Sequence, residues 1–173
     1  MKISQSIYNM QDFVHLHVHT YYSILDGQAS VQKLVDKAIA NGMRGMAVTD
    51  HGNMMGIKDF YNYCKKKNAK LKEEGKPEFI PILGCEMYVA HHNKEDKVRD
   101  HGDQSGYHLI VLAKNAQGYH NLIKLVSRAW VDGFYMRPRT DRKDLEKYHE
   151  GLIVCSACIA GEVPAKILKD NIS

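Results

Sequence analysis

The chain reads as an α/β protein built on a parallel sheet or barrel. Two observations predict this. Apolar runs of strand length alternate with stripes of helical period, five strands in all, and side chains able to hold a metal recur at or just beyond the strand ends. In α/β folds the carboxyl ends of the strands carry the chemistry.

The first strand covers 13–18, where Val14, Leu16 and Val18 alternate with His15 and His17, and 21–27 follows as a loop. A helix over 30–41 gathers Val31, Leu34, Val35, Ala38 and Ile39 on one face, and Gly42 closes it. The second strand is 45–49. A helix runs from Gly56 to about Lys72, a charged turn with Gly75 and Pro77 fills 73–78, and a long strand containing Gly84 spans 79–90. Residues 91–106 are polar and aperiodic, which marks a long loop of the functional or disordered kind. A strand over 107–113, a helix over 116–129 carrying Leu122, Ile123, Leu125 and Val126, and a short helix over 140–148 follow. A fifth strand over 151–156 and a helix from Val163 complete the reading.

Composition narrows the class. With 173 residues, 44% hydrophobic and 25% charged, the chain has material for one globular core. The net charge of +4 permits contact with phosphate or nucleic acid, yet Lys65, Lys66, Lys67, Lys70, Lys72 and Lys76 fall in one helical stretch, which reads as a solvated face. The first six residues lack the apolar core of a leader, and no apolar run approaches the roughly 20 residues that cross a bilayer. A cytoplasmic, membrane-free setting is the expectation. Four cysteines in such a chain are thiols or ligands rather than a disulfide framework.

The chemistry starts at His17 and His19. Alternate residues of a strand point to one face with Cα atoms roughly 6.6–6.8 Å apart, so two imidazoles there can grip one cation. Asp26 lies in the following loop, Asp50 and His51 after the second strand, Glu86 late in the third, His108 on the fourth, and Cys155 or Cys158 after the fifth. Each has a bland explanation alone: His15, His17 and His19 as an exposed row, Asp50 as a helix cap, Glu86 as a surface residue, His108 as a bonded core histidine, Cys158 as a small hydrophobe. Five placements in succession argue for a shared site. Imidazoles mixed with carboxylates suit Zn, Mn or Fe better than Mg or Ca.

The residues also carry a resemblance. His17-Val-His-Thr20, Ser23-Ile-Leu-Asp-Gly27, Thr49-Asp-His-Gly-Asn53, Gly84-Cys-Glu-Met-Tyr88, Tyr107-His-Leu109 and Cys155-Ser-Ala-Cys-Ile-Ala-Gly-Glu-Val-Pro164 occur in the order of a known family. The chain resembles the N-terminal PHP (polymerase and histidinol phosphatase) domains of bacterial DNA polymerase III alpha subunits. Gly118-Tyr-His-Asn-Leu122 and Gly133-Phe-Tyr-Met-Arg-Pro-Arg139 resemble the alpha subunits rather than free-standing PHP phosphatases.

The resemblance implies an incomplete, distorted (β/α)7 TIM-like barrel, with about five βα units present and up to three divalent metal ions at one end. It implies that His17 and His19 hold a first metal, that Glu86 bridges it to a second completed by His108 and Cys158, and that Asp26 and His51 hold a third. The family pattern ends in Asp-x-His, and no such motif occurs before Ser173. The chain is therefore expected to be the N-terminal portion of a PHP domain, within a DNA-directed DNA polymerase (nucleotidyltransferase) that works with DNA and other replicase subunits.

A complete site of this kind hydrolyses phosphoesters, its ions lowering the pKa of a held water from 15.7 toward about 7. In the family this serves as a proofreading 3′–5′ exonuclease or as a scaffold. Asp50, Arg137 and Arg139 stand as supporting or phosphate-contacting residues. The alternatives are a small-molecule phosphatase of histidinol phosphatase type and a non-catalytic interaction module. The 173 residues by themselves are expected to show neither nucleotidyl transfer nor robust hydrolysis. Five strands cannot close a seven-stranded sheet, so an open edge and self-association are expected as well.

Overall fold

A computed structural model describes residues 13–24, 26–97 and 105–169. The first six residues, from which the absence of a leader is read, and the 98–104 part of the long loop lie outside them. The elements are α1 (Val31–Ala40), β1 (Gly45–Val48), α2 (Ile57–Glu73), β2 (Ile80–Val89), β3 (Tyr107–Ala113), α3 (Ala116–Val131), β4 (Phe134–Tyr135), β5 (Arg137–Thr140), α4 (Arg142–Tyr148), β6 (Leu152–Cys155) and α5 (Glu162–Lys169). Side-chain oxygens of Ser30, Asn115 and Asp141 cap α1, α3 and α4 by accepting from backbone N–H groups of the first turn.

The organising strand is β2. Its first half pairs in parallel with β1, from Gly45↔Ile80 to Val48↔Leu83, and its last two residues pair in parallel with β5. Tyr88 opposes both Arg139 of β5 and His108 of β3, so β1 and β5 follow one another along one edge of β2 while β3 takes the other. β3 runs antiparallel to β2, and β6 antiparallel to β3.

The α/β class therefore stands, with five described helices, but among the described residues the sheet is mixed and does not close. The expectation of an all-parallel sheet fails at β2–β3. No helix is described in the connection between them, and a return without a helical crossover brings the chain back antiparallel.

Two further differences have local causes. The first predicted strand is reduced to an extended segment along β1, tied by an isolated bridge from His15 to Met46 and by Thr49 N–H donating to the Val18 carbonyl at 2.8 Å. Val18 N–H goes to the Thr49 hydroxyl at 2.9 Å, a side-chain bond in place of a ladder bond. The hairpin of β4 and β5 is not visible in the sequence, because Pro138 argues against a strand and Met136 turns the chain at a φ of 59°.

Side-chain alternation assigns the two faces. Outward, Met46 and Val48 pack with Val31, Val35 and Phe60 of α1 and α2, while Cys85, Met87 and Val111 pack with Leu122 and Leu125 of α3. Inward lie Ala47, Ile110 and Leu112. Glu86 and Tyr88 share that inner face with His108, so the apolar packing of Cys85 and Met87 behind the sheet aims a carboxylate to the face in front of it.

Candidate metal centre

Glu86 is 1% exposed and stands among four imidazoles. Its Oε2 lies 2.8 Å from His17 Nε2, 2.9 Å from His19 Nε2 and 3.4 Å from His51 Nδ1, and its Oε1 lies 2.7 Å from His108 Nδ1. The Nε2 atoms of His17 and His19 are themselves 3.0 Å apart. Asp26 forms the rim, with Oδ2 2.8 Å from His51 Nε2 and 3.9 Å from His19 Nε2. Cys158 Sγ lies 3.6 Å from His108 Nδ1.

All seven residues expected as ligands meet at this end of the sheet. His108 gets there in an unexpected way, as the second residue of β3 rather than one near its carboxyl end, because β3 is antiparallel to β2. Three groups have ligand atoms within 4.8 Å of one another: His17, His19 and Glu86; His19, Asp26 and His51; His51, Glu86 and His108.

Hydroxyl groups that the sequence reading passed over hold this arrangement. Asp50 is buried and accepts from Thr20 N–H at 2.6 Å, Thr20 Oγ1 at 2.9 Å and Ser23 Oγ at 3.0 Å. Ser23 Oγ in turn accepts from the His51 backbone N–H at 3.0 Å and lies 3.2 Å from His19 Nδ1. Because the single Ser23 proton goes to the Asp50 carboxylate, His19 Nδ1 is the donor in that last contact. With Nδ1 donating there, Nε2 is the atom His19 turns to Glu86, donating to it when the ring is protonated, and the atom whose lone pair a cation in that place would take. Asp50 thus acts as the anchor of the first loop. The available signal was the pair of hydroxyl residues three apart just after His-x-His.

The electrostatics favour a cation. Burial alone pushes the Glu86 carboxyl up, but the bonds from His108, His19 and His17 outweigh it and hold the group well below the usual carboxylate range. Burial works against a charge on His19, yet its bond to Glu86 wins and raises its pKa above the ordinary value. For His51 burial wins, and its pKa is lowered. His51 Nδ1 is buried without a hydrogen-bond partner, and its lone pair, when that nitrogen is unprotonated, is one that a metal ion would satisfy.

The two arginines expected as phosphate contacts differ in exposure. Arg137 is exposed, with its guanidinium 5.7 Å from the Tyr88 ring centroid. Tyr88 stacks at 5.8 Å on His51 and meets His108 edge-on at 5.1 Å. Arg139 is placed differently: it is 0% exposed and donates Nη2 to the carbonyls of Lys94 at 3.1 Å and Asp96 at 3.0 Å. A buried guanidinium must spend its donors on fixed acceptors, so Arg139 is a strut for the 94–96 segment and not a phosphate contact.

Nitrogen and carboxylate donors gathered at one end of a mixed sheet define an α/β domain suited to divalent transition metals. The chain belongs to the PHP domain family, whose model matches residues 15–173. Its relatives are DNA polymerase III alpha subunits: 48% identical over 159 residues in Borreliella burgdorferi, 44% over 157 in Treponema pallidum and 41% over 163 in Thermus aquaticus. These matches cover 91–92% of this chain and 12–13% of the relatives, so the chain spans about an eighth of their length. No described helix is long and apolar enough to cross a membrane.

Proposed function

We propose that this chain is the N-terminal portion of a PHP domain in a bacterial DNA polymerase III alpha subunit, and that its cluster holds divalent metal ions for phosphoester hydrolysis, with a 3′–5′ exonuclease as the working activity. The observation that carries the reading is Glu86, a buried carboxylate toward which His17, His19, His51 and His108 all turn. The sheet is then part of an incomplete, distorted (β/α)7 barrel.

In this reading His17, His19 and Glu86 would hold one ion, Glu86, His108 and Cys158 a second, and Asp26 with His51 a third, the metals being Zn, Mn or Fe. Ions of this kind supply Lewis acidity, stabilising charge on phosphoryl oxygens and lowering the pKa of water. The chain's own residues do the positioning. Ser23 and Asp50 set the His19 tautomer and the His51 backbone, Tyr88 packs the His51 and His108 rings, and Arg137 offers a fork that matches phosphate oxygens. The partners are DNA and the other replicase subunits, in the cytoplasm.

The test uses the full-length polymerase subunit containing these residues, assayed for 3′ exonuclease activity with added Mn or Zn. His17→Ala and Glu86→Gln are expected to remove hydrolysis while polymerisation persists. Undiminished exonuclease activity in both variants sinks the reading.

A further inference from the structure

Helix α3 carries two apolar faces, and the domain covers only one of them. Leu122, Leu125 and Ala129 are buried in the core behind the sheet, whereas Tyr119, Ile123, Val126 and Trp130 recur at i, i+4, i+7 and i+11 along a second stripe. In the layer of helices α1 packs on α2 and α3 on α4, but two clefts open between α3 and the start of α2. One, of about 660 Å³, is lined by Tyr119 and Tyr61 together with Pro81 and Leu83 of β2. The other, of about 510 Å³, is lined by Val126, Trp130, Met54 and Met55. Ile123 lies between the two on the same stripe and is exposed.

The residues left open are of the types that anchor protein interfaces: Trp130 is 44% exposed, Tyr61 51%, and Met55 more than either. Trp130 is also held in place beforehand. Its indole N–H donates to the Gly52 carbonyl at 2.7 Å, so little side-chain freedom remains to be lost on binding. Charge here has one sign. Lys58 and Lys114 are exposed on the wall of the larger cleft, neither makes an ion pair among the described residues, and no carboxylate lines either cleft.

These features select the occupant. β2 has a strand on each side, so an added strand finds no free edge, while a helix laid along α3 meets the stripe turn by turn. From Tyr119 to Trp130 the stripe runs roughly 16 Å, or about three helical turns. Acidic flanks on such a helix answer Lys58 and Lys114. A second copy of this chain does not fit: its unpartnered helix α5 exposes Val163, Ile167 and Leu168 but carries Lys166 and Lys169, which would set like charges together.

We propose that the groove between α2 and α3 is the docking site for an amphipathic helix of a separate protein chain, about three turns long, with apolar residues at i, i+4, i+7 and i+11 and acidic residues flanking them. The groove lies on the helical side of the sheet, opposite the face that carries Glu86 and His108, so the proposal does not rest on the phosphoester reading.

Trp130 is the single tryptophan of the chain, so intrinsic fluorescence of the 173-residue protein reports from the groove. The probes are synthetic helical peptides of about four turns. One has leucines at the stripe spacing flanked by glutamates, one the same leucines flanked by lysines, and one the glutamates with every leucine replaced by alanine. The first is expected to shift Trp130 emission saturably to the blue, the second to bind about tenfold more weakly, and the third not to bind. Ile123→Glu is expected to weaken the first peptide by about tenfold or more, and Lys58→Glu combined with Lys114→Glu to reverse the preference between glutamate and lysine flanks. Equal affinity for the two leucine peptides, no shift with either, or wild-type affinity in Ile123→Glu overturns the proposal. So does displacement of the bound peptide by an oligothymidylate of equal charge, which would make the groove a nucleic-acid track, or loss of self-association in Ile123→Glu, which would put a second copy there. Where Ile123→Glu does not fold, the three peptides on the wild type and the charge-reversed double variant decide. Metal uptake measured in parallel is independent: its failure overturns the phosphoester reading and leaves the peptide result standing.

Discussion

Glu86 and His108 are 22 residues apart in sequence, and their side chains meet at 2.7 Å because β2 and β3 pair antiparallel in a register that sets His108 opposite Tyr88. A shift of one residue would turn His108 to the apolar side of the sheet. The register is held from behind by Cys85, Met87 and Val111 packed on α3, so core packing and ligand convergence are two sides of one strand pair.

The first prediction is metal content. Protein purified without chelator is expected to carry one or two transition-metal ions, and chelation is expected to lower its thermal midpoint, since binding to the folded state alone stabilises it. Elemental analysis showing less than about 0.2 metal per folded chain would falsify this, because preformed sites of nitrogen and oxygen donors bind tightly.

Ser23 is the second. Ser23→Ala removes the acceptor for His51 N–H and for His19 Nδ1 and leaves Asp50 one donor short. A loss of about 1–2 kcal/mol in stability is expected for the buried bonds, together with about a 10- to 100-fold loss of metal affinity because His19 is no longer held in one tautomer. Thermal unfolding and metal titration check the two effects separately. Wild-type metal affinity in a folded variant would show that Ser23 does not position the ligands.

The third concerns acid. Asp144 is buried; burial pushes its carboxyl up, but Arg128 at 2.9 Å and Lys94 at 3.0 Å outweigh that and hold it below the ordinary value. A group depressed in the folded state contributes stability above its unfolded pKa, near 3.9, and that contribution is lost as pH falls through the folded value. The thermal midpoint is therefore expected to fall more steeply from about pH 5 to about pH 2 in the wild type than in Asp144→Asn. At neutral pH the variant should be less stable by about 3 kcal/mol, since buried Lys94 loses its nearest carboxylate. Parallel pH profiles for the two proteins would contradict the assignment.

The fourth concerns association. Among the described residues β6 pairs on one side only, Ile153 and Val154 on it are exposed, and α5 buries none of its residues while showing Val163, Ile167 and Leu168 to solvent. An open strand edge beside apolar surface invites another chain. The isolated 173-residue protein is expected to self-associate at high concentration, and Val154→Lys to reduce this. Light scattering over a dilution series checks it; a strict monomer throughout would show that the edge is protected.

The sequence determined which donors gather in the candidate site. His17, His19, Asp26, His51, Glu86, His108 and Cys158 were all legible, because donor chemistry and strand-end position are local properties and the family pattern orders them along the chain. Helices α1 and α3 were legible too, since each carries a complete apolar stripe.

The tertiary structure decided what depends on pairing. Strand direction is written in no single segment, so the antiparallel β3 that brings His108 in from its amino end could not be read from alternation alone. The roles of Asp50 and Arg139 depended on which carbonyls, hydroxyls and backbone N–H groups lay within 3.5 Å of them after folding, and those partners come from residues 6 to 45 positions away. Residue type announces what a side chain can bond. Only the register of β2 with its neighbours, fixed by the apolar packing behind it, decides what each one does bond.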